Sequence, residues 1–150
     1  MKLVIQRVSE ARVKVSDKII SEIKLGFLIL LGIEKSDSKE DINWLISKIL
    51  ILRVFSDDEL KMNFSIKDIR GEIIVVSQFT LHAKTKKGNR PSYIKAANPE
   101  QAEPLYEEFI SQLKNESAVS VQSGVFGSNM QVDIVNDGPV TIIIDSKNKE

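Results

Sequence analysis

The sequence predicts an α+β domain in which a curved, partly closed mixed β-sheet has two main helices packed on it. Strand-like runs fill both ends of the chain, whereas only two well-separated segments carry apolar residues at helical spacing. Strands outnumber helices too heavily for a doubly wound fold. The sequence also has no glycine-rich phosphate loop, which argues against a nucleotide-binding α/β domain.

The first third of the chain is predicted to form strands. Residues 2–8 alternate weakly between apolar and polar, and residues 11–15 alternate clearly. A turn at residues 16–18 leads into a further strand at 19–23. The continuous apolar run at 27–33 has the length of a buried strand.

Two segments carry helix signals. Ser38 is predicted to cap the first helix, with Asp41 three residues later as its partner. The apolar face of this helix is Ile42, Leu45, Ile46, Ile49 and Leu50. Asn98 and Pro99 form a cap and first-turn pair for the second helix.

The remaining strands lie in the middle and at the end of the chain. A central strand is predicted over residues 72–81, preceded by a polar, turn-like segment at 54–63. Three β runs close the chain, at 119–122, 131–135 and 140–145.

The composition indicates one globular domain. At 150 residues, of which 42% are apolar and 28% charged, the chain is ordinary for such a domain. We expect the domain to span residues 1–146 and the charged residues 147–150 to form a frayed tail. The absence of cysteine excludes disulfides and thiolate nucleophiles. No apolar run approaches the roughly 20 residues that span a bilayer, and no signal-peptide pattern begins the chain, so a cytoplasmic protein is expected.

Basic residues cluster although the net charge is zero. The chain has 21 basic and 21 acidic residues, which argues against binding of nucleic acid by overall charge. Between positions 82 and 95, however, Lys84, Lys86, Lys87 and Arg90 occur with no acidic residue among them. The segment is either a solvated loop or an edge that contacts phosphates.

The polar segment Ser77–Leu81 ends the apolar run of the central strand. On a continuing strand, Ser77 and Phe79 would face one way and Gln78 and Thr80 the other. The segment is either a strand leaving the core or the lining of a site. In a site, the backbone N–H groups of Phe79 and Thr80 could hold an oxyanion and position an ester.

Gly138-Pro139 lies between two apolar runs. Such a pair is commonly a simple turn, but proline has no N–H and glycine tolerates unusual dihedral angles, so both carbonyls could project outward. The sequence alone does not decide between the cis and trans isomers of the bond.

The sequence offers no evident side-chain base for hydrolysis. His82 is the only histidine, and a Ser77–His82 pair is rejected because on a strand the two would point to opposite faces. The acidic run 57–59 is interpreted as a solvated turn. We therefore predict neither a metal nor a cofactor.

The chain resembles the D-aminoacyl-tRNA deacylase family over nearly its whole length. The matching segments, in the family's order, are Ile5–Val8, Lys61–Asn63, Ser77–Leu81, Lys87-Gly88, Arg90–Ser92, Ala102 with Pro104–Tyr106, Phe126-Gly127, Met130–Val132 and Asn136–Thr141. One departure is Leu60, which stands where the family usually has glycine.

The resemblance implies a deacylase-like fold and a homodimeric editing enzyme. Its reaction would be hydrolysis of the ester between a D-amino acid and the 3′ end of tRNA, with glycyl-tRNA mischarged on tRNA(Ala) as a further substrate. L-amino acids would be rejected. The ribose 2′-hydroxyl beside the ester would help to activate water, and Thr80 is the one candidate side-chain nucleophile.

The resemblance also implies roles for individual residues. Ser77, Gln78 and Phe79 would line the substrate pocket, with Phe126 and Met130 flanking it. A cis Gly138-Pro139 pair, supported by Arg7, would point its carbonyls into the pocket of the other subunit. The basic residues Lys84, Lys86, Lys87 and Arg90 remain candidates for contact with tRNA.

A purely structural dimer would leave the polar end of the central strand unexplained, but two rival functions stay open from the sequence. The first is a non-catalytic RNA-binding dimer that uses the basic segment. The second is an editor with the same fold that acts on a different mischarged pair.

Overall fold

The computed structural model describes residues 1–149, which form eight strands, two α-helices and a 3₁₀ helix. The strands are β1 (Lys2–Val15), β2 (Lys18–Ile23), β3 (Gly26–Gly32), β4 (Phe55–Ser56), β5 (Met62–Phe64), β6 (Glu72–Ser77), β7 (Val121–Ser123) and β8 (Gln131–Asp145). The helices are α1 (Lys39–Ile51), the 3₁₀ helix (Phe79–His82) and α2 (Pro99–Ser117). Neither α-helix within residues 1–149 combines the length and apolar character needed to cross a membrane.

The main sheet is mixed and is organised around the long strand β1. Its strand order is β2-β1-β3-β6-β7, and β8 lies along the other edge of β1. The second half of β1 pairs with β2 and the first half with β3, all antiparallel. Strands β3, β6 and β7 are parallel to one another. The carboxyl ends of β3 and β6 therefore lie at the same edge of the sheet.

The two ends of the strand order meet, so the sheet is nearly closed. The Ser21 hydroxyl on β2 donates to the carbonyl of Ser123 on β7. The side-chain amide of Gln122 bonds both backbone groups of Glu22, accepting from its N–H at 3.1 Å and donating to its carbonyl at 2.7 Å. This curvature confirms the predicted fold class, an α+β domain with two helices on a partly closed sheet.

Alternation along the strands divides the core between two sides of the sheet. Phe27 and Ile29 on β3 pack in the cluster that contains the helices, whereas Leu28 between them packs in a second cluster inside the curve. The helix-side cluster includes the whole predicted face of α1, which is buried as expected. The inner cluster is Val8, Ala11, Val13, Ile23, Leu28, Ile74 and Val76.

Both α-helices begin at the predicted caps. The carboxylate of Asp41 accepts a hydrogen bond from the N–H of Ser38 at 2.8 Å. The side chain of Asn98 accepts one from the N–H of Gln101 at 3.1 Å, with Pro99 in the first turn. Each bond satisfies a backbone N–H group at the helix start, where N–H groups have no partner within the helix.

The predicted central strand over 72–81 is wrong beyond Ser77. The N–H of Gln78 makes the last bond to β3, and the N–H of Leu81 then bonds the carbonyl of Gln78, which starts a 3₁₀ turn. The partner strand β3 ends, so a strand at residues 79–81 would have no neighbour. The strand alternation expected for Phe79 and Thr80 does not apply.

The two separate β runs predicted at 131–135 and 140–145 are wrong, because residues 131–145 form one strand and Gly138-Pro139 is not a simple turn between them. Val8 pairs with Asn136 and Gln6 with Thr141, so the four residues 137–140 of β8 lie opposite Arg7 alone. The pair is therefore part of a large bulge in a strand that stays paired on both sides. The segment 54–63, predicted as turn-like, instead forms most of the short hairpin β4–β5, which ends at Phe64.

The beginning of the predicted tail contacts the domain. Lys147 donates hydrogen bonds to the Asp41 carboxylate at 2.8 Å and to the Ser36 carbonyl at 2.9 Å. The ammonium of Lys149 lies 4.8 Å from the ring centroid of Trp44. Residue 150 lies outside the described residues, and the boundary at residue 146 stays a prediction.

Candidate active site

A cavity of about 580 Å³ opens where β3 and β6 end. Ser77, the last residue of β6, pairs with Leu31, and the N–H of Gln78 donates to the Leu31 carbonyl at 2.8 Å. The chain leaves the sheet at this point, so polar side chains reach an edge that the strands no longer cover. The carboxyl ends of parallel strands are a common location for ligand sites.

Five residues predicted to bind substrate line this cavity, namely Ser77, Gln78, Phe79, Phe126 and Met130. The sequence analysis missed the other lining residues, which are Leu31, Ile33, Val76, Ala97, Pro99, Ala102, Gly127, Ser128, Asn129 and Val132. Most of these are apolar or small and look like core or loop residues in a sequence. The exceptions are Gly127–Asn129, which could have been assigned to the cavity because they lie between Phe126 and Met130 in the sequence.

The 3₁₀ helix forms the rim of the cavity. Phe79 and Thr80 are its first two residues, so their N–H groups have no acceptor within the helix. Phe79 has 56% of its surface exposed although it lines the cavity. The Thr80 hydroxyl accepts a hydrogen bond from the Gln78 side chain at 2.5 Å, and Thr80 is not among the lining residues.

Helix α2 supports the cavity wall through Tyr106. The Tyr106 hydroxyl donates to the carbonyl of Val75 on β6 at 2.8 Å, and its ring centroid lies 5.6 Å from that of Phe126. Burial raises the pKa of Tyr106 to about 12, so the phenol stays protonated, and able to donate this bond, even in alkaline solution near pH 10. One buried side chain thus connects α2, the central strand and the cavity wall.

A close backbone approach positions Met130. A Cβ atom on Gly124 would lie 2.5 Å from the Met130 sulfur, so a larger residue there would displace this side chain from its present position. The N–H of Gly124 donates to the carbonyl of Val75 at 3.0 Å. The segment that carries Phe126 and Met130 is thereby attached to β6 at its start.

Gly138 and Pro139 are exposed and do not line the cavity of their own chain. The bond between them is cis, and Gly138 has a φ of +125°. Arg7, only 9% exposed, donates from Nε to the Asp137 carbonyl at 3.0 Å and from Nη1 to the Val54 carbonyl at 2.5 Å. The Asp137 carboxylate lies 3.1 Å from the same Nε. The buried guanidinium of Arg7 therefore connects the bulge to the backbone at Val54.

The basic segment is a hairpin beside the cavity. Lys84 and Ser92 exchange two backbone hydrogen bonds, and Lys86, Lys87 and Arg90 lie exposed between them. Among residues 1–149, no carboxylate forms an ion pair with these four cations. Tyr93 follows the hairpin, and its ring contacts that of Phe79 at a centroid distance of 5.0 Å.

His82 lies at the end of the 3₁₀ helix, 3% exposed and outside the cavity lining. Its Nδ1 lies 3.5 Å from the Glu34 carboxylate, and within the described chain neither ring nitrogen makes a hydrogen bond. Residues 1–149 contain no group of three or more His, Asp or Glu side chains placed to hold a metal ion.

Comparison with known proteins gives matches over essentially the whole chain. Residues 4–145 match the family model described as D-Tyr-tRNA(Tyr) deacylase. A D-aminoacyl-tRNA deacylase of Flavobacterium psychrophilum is 65% identical over 150 residues, covering 100% of both chains. A protein of the same name from Porphyromonas gingivalis is 57% identical over 150 residues, again covering 100% of both.

Solved structures share the fold. One, titled c-Myc DNA Unwinding Element Binding Protein, has a TM-score of 0.90 and 43% identity, covering 97% of this chain and 98% of its own. A probable eukaryotic D-amino acid tRNA deacylase has a TM-score of 0.81 over 95% of this chain and 97% of its own. At 16% identity, the second likeness shows the fold alone.

These matches confirm the family resemblance and the deacylase prediction made from the sequence. The chain belongs to the D-Tyr-tRNA(Tyr) deacylase family.

Proposed function

We propose that this deacylase cleaves the ester between a D-amino acid and the 3′ end of tRNA, acting as a homodimer in which each subunit completes the other's cavity. The observation that carries the proposal is the position of Gly138-Pro139. The pair is exposed, held rigidly by Arg7, and absent from the cavity of its own chain. A second copy of the chain would bring this bulge to the cavity.

Stereospecificity follows from the same arrangement. Two fixed carbonyls that receive the α-amino group of the substrate leave no room where an L side chain would point. A D side chain points away from them, so D-amino acids of different size are accepted. Glycine has no side chain to exclude, so glycyl-tRNA mischarged on tRNA(Ala) is a substrate as well.

We expect hydrolysis without a side-chain base, since the described residues that line the cavity include no Asp, Glu, His or Lys. Water adds to the ester carbonyl, and the oxyanion is stabilised by the N–H groups of Phe79 in the cavity lining and of Thr80 at its rim. The bond to the ribose 3′ oxygen then breaks, and that oxygen takes up the proton that the water lost. The neighbouring 2′-hydroxyl assists the attacking water. Positioning alone can provide effective molarities of about 10⁵–10⁸ M, which exceeds the usual contribution of a general base.

The basic hairpin places positive charge where the rest of the tRNA leaves the cavity. Lys84, Lys86, Lys87 and Arg90 contact phosphates, so affinity for tRNA decreases as salt increases. Because aminoacyl-tRNA is used in translation, we expect the enzyme to act in the cytoplasm.

The primary test compares the hydrolysis of D-tyrosyl-tRNA, L-tyrosyl-tRNA and glycyl-tRNA(Ala) by the purified protein. We expect rapid cleavage of the D ester and the glycyl ester and none of the L ester. Equal rates for D and L would contradict the stereospecific cavity and favour an editor of another pair. Binding of all three without cleavage would favour the RNA-binding alternative.

A second test concerns Thr80. In Thr80→Ala we expect kcat for D-tyrosyl-tRNA to stay within about tenfold of the parent value, because the hydroxyl bonds Gln78 and lies outside the cavity lining. Thr80→Ser keeps the hydroxyl and serves as the control. Complete loss in the alanine variant with retention in the serine variant would make Thr80 the nucleophile.

A further inference from the structure

We propose that Phe79, at the cavity wall, and Tyr93, outside the cavity, form an aromatic platform on which the unpaired nucleotides next to the terminal adenosine of tRNA stack. This inference rests on the proposed function, because it takes the terminal adenosine to occupy the cavity. It assigns a role to Tyr93, which the site described above does not use.

The two rings form an exposed pair. Phe79 is 56% exposed and Tyr93 38%, and their centroids lie 5.0 Å apart at an interplanar angle of 75°. An edge-to-face contact covers the face of one ring only, so the other ring keeps both faces free of its partner. Such a face can accept a nucleobase, since every base has a π-face and stacking tolerates any sequence.

The platform is continuous with the cavity on one side. Phe79 lines the cavity and also contacts Tyr93, so a strand leaving the cavity past Phe79 meets the second ring next. The 3′ end of tRNA is single-stranded, and its bases are free to stack on protein rings. The nucleotide before the terminal adenosine is therefore the one that reaches Tyr93.

The platform is continuous with positive charge on the other side. Tyr93 directly follows Ser92, whose backbone closes the basic hairpin with Lys84. No acidic residue occurs between Phe79 and Pro99. Aromatic rings beside a basic groove are the combination that binds single-stranded nucleic acid. The same charge disfavours a second copy of this surface as the occupant, because like charges would face each other.

The test uses Tyr93→Ala with three substrates of increasing length: D-tyrosyl-adenosine esterified at the 3′ oxygen, the D-tyrosyl ester of the trinucleotide CCA, and D-tyrosyl-tRNA. We expect kcat/KM of Tyr93→Ala to decrease about tenfold on the trinucleotide and on tRNA, mainly through KM. On D-tyrosyl-adenosine, kcat/KM of the variant should stay within about twofold of the parent value, because that substrate has no nucleotide before the terminal adenosine to stack on Tyr93.

Two further variants serve as controls. Tyr93→Phe keeps the ring and should keep activity on all three substrates. Ile94→Ala removes a neighbouring apolar side chain that is 65% exposed but has no ring on which a base could stack. It should leave kcat/KM unchanged on all three substrates.

Three results would overturn the platform: an equal loss on D-tyrosyl-adenosine, no loss on any substrate, or a loss on tRNA alone. If the parent enzyme cleaves none of the three, the proposed function fails instead. The affinity of each variant for the uncharged trinucleotide CCA, measured by fluorescence anisotropy, then tests whether the platform binds nucleotides. Weaker binding by Tyr93→Ala than by Ile94→Ala supports it, and equal binding overturns it.

Discussion

Gly138 is the residue whose geometry leaves the least room for change. Its φ of +125° is unfavourable for other residues, and a Cβ atom there would lie 2.9 Å from Nη2 of Arg7 and 3.0 Å from a methyl carbon of Val140. A side chain would therefore displace the Arg7 guanidinium or the bulge itself. Arg7 has little freedom to move, because its Nη1 also bonds the carbonyl of Val54.

We therefore expect Gly138→Ala to lower kcat/KM for D-tyrosyl-tRNA by about 100-fold, since small displacements at a positioned site have effects of that size. Gly88→Ala is the matched control. Gly88 also has a positive φ, +69°, but a Cβ atom added there would have no neighbouring atom within 4 Å. A loss of similar size in both variants would assign the effect to backbone strain rather than to the bulge.

Leu60 is a second residue in the left-handed region, with a φ of +63° and 86% of its surface exposed. The side chain gains little from burial, whereas an L residue in this conformation costs about 1–2 kcal/mol. The turn has kept the backbone that glycine favours, although the sequence places leucine there.

Leu60→Gly should consequently raise the free energy of unfolding by about 0.5–1 kcal/mol, after the greater chain entropy of glycine is deducted. Urea denaturation measures the change. Leu60→Ala retains a Cβ atom and should give no such increase; an equal gain from alanine would mean that the exposed leucine side chain itself is destabilising.

At the scale of elements, Tyr106 connects α2 to β6. Its buried hydroxyl donates a hydrogen bond to the Val75 carbonyl, and its ring contacts that of Phe126. Tyr106→Phe removes the bond and leaves the ring, so unfolding should become easier by about 1 kcal/mol. Tyr93→Phe removes a hydroxyl from an exposed ring and should leave stability unchanged. Stability of Tyr106→Phe equal to that of the parent would show that the bond contributes nothing to the α2–β6 contact.

The elements also show which features a single sequence predicts. Both helix starts were predicted because each cap and its partner lie three residues apart, as with Ser38 and Asp41. The end of β6 was not, because it depends on where β3 stops, some 46 residues earlier, at the pair of Leu31 with Ser77. The bulge in β8 likewise depends on the pairing of β1.

The residues of the candidate site likewise fall into those that the sequence reveals and those that it does not. Ser77 and Gln78 could be found because polar residues interrupt an apolar strand. Leu31 and Ile33 could not, since apolar residues of a buried strand look the same whether they face the core or a cavity. The position of Gly138-Pro139 on an exposed bulge required the pairing of β8 with β1.

For the whole molecule, acid stability depends on carboxylates that the fold keeps ionised. Burial alone would raise the pKa of Asp41, but hydrogen bonds from Lys147, Ser146 and the backbone of Ser38 outweigh it and hold the pKa well below its usual range. A lowered folded-state pKa contributes stability that is present above the unfolded value of about 3.9 and is lost as the pH falls toward the folded value.

Thermal unfolding between pH 7 and pH 2 should therefore show a melting temperature that decreases below about pH 4. Asp57 and Asp68, whose pKa values are lowered by hydrogen bonds from Asn63 and Ser65, act in the same direction. Asp41→Asn should melt lower than the parent at pH 7 and approach it at low pH. A constant difference at every pH would mean that the charge of Asp41 is not what stabilises the fold.

The pairing of β1 with β8 has a consequence for how the chain is made. Lys2 pairs with Asp145, so along this edge the first strand finds its partner only after residue 145 has been synthesised. Contacts between residues so distant in sequence slow folding, because the chain must close a large loop before they form. Until Asp145 leaves the ribosome, one edge of β1 stays open to other strands, and the nascent chain is then most exposed to aggregation.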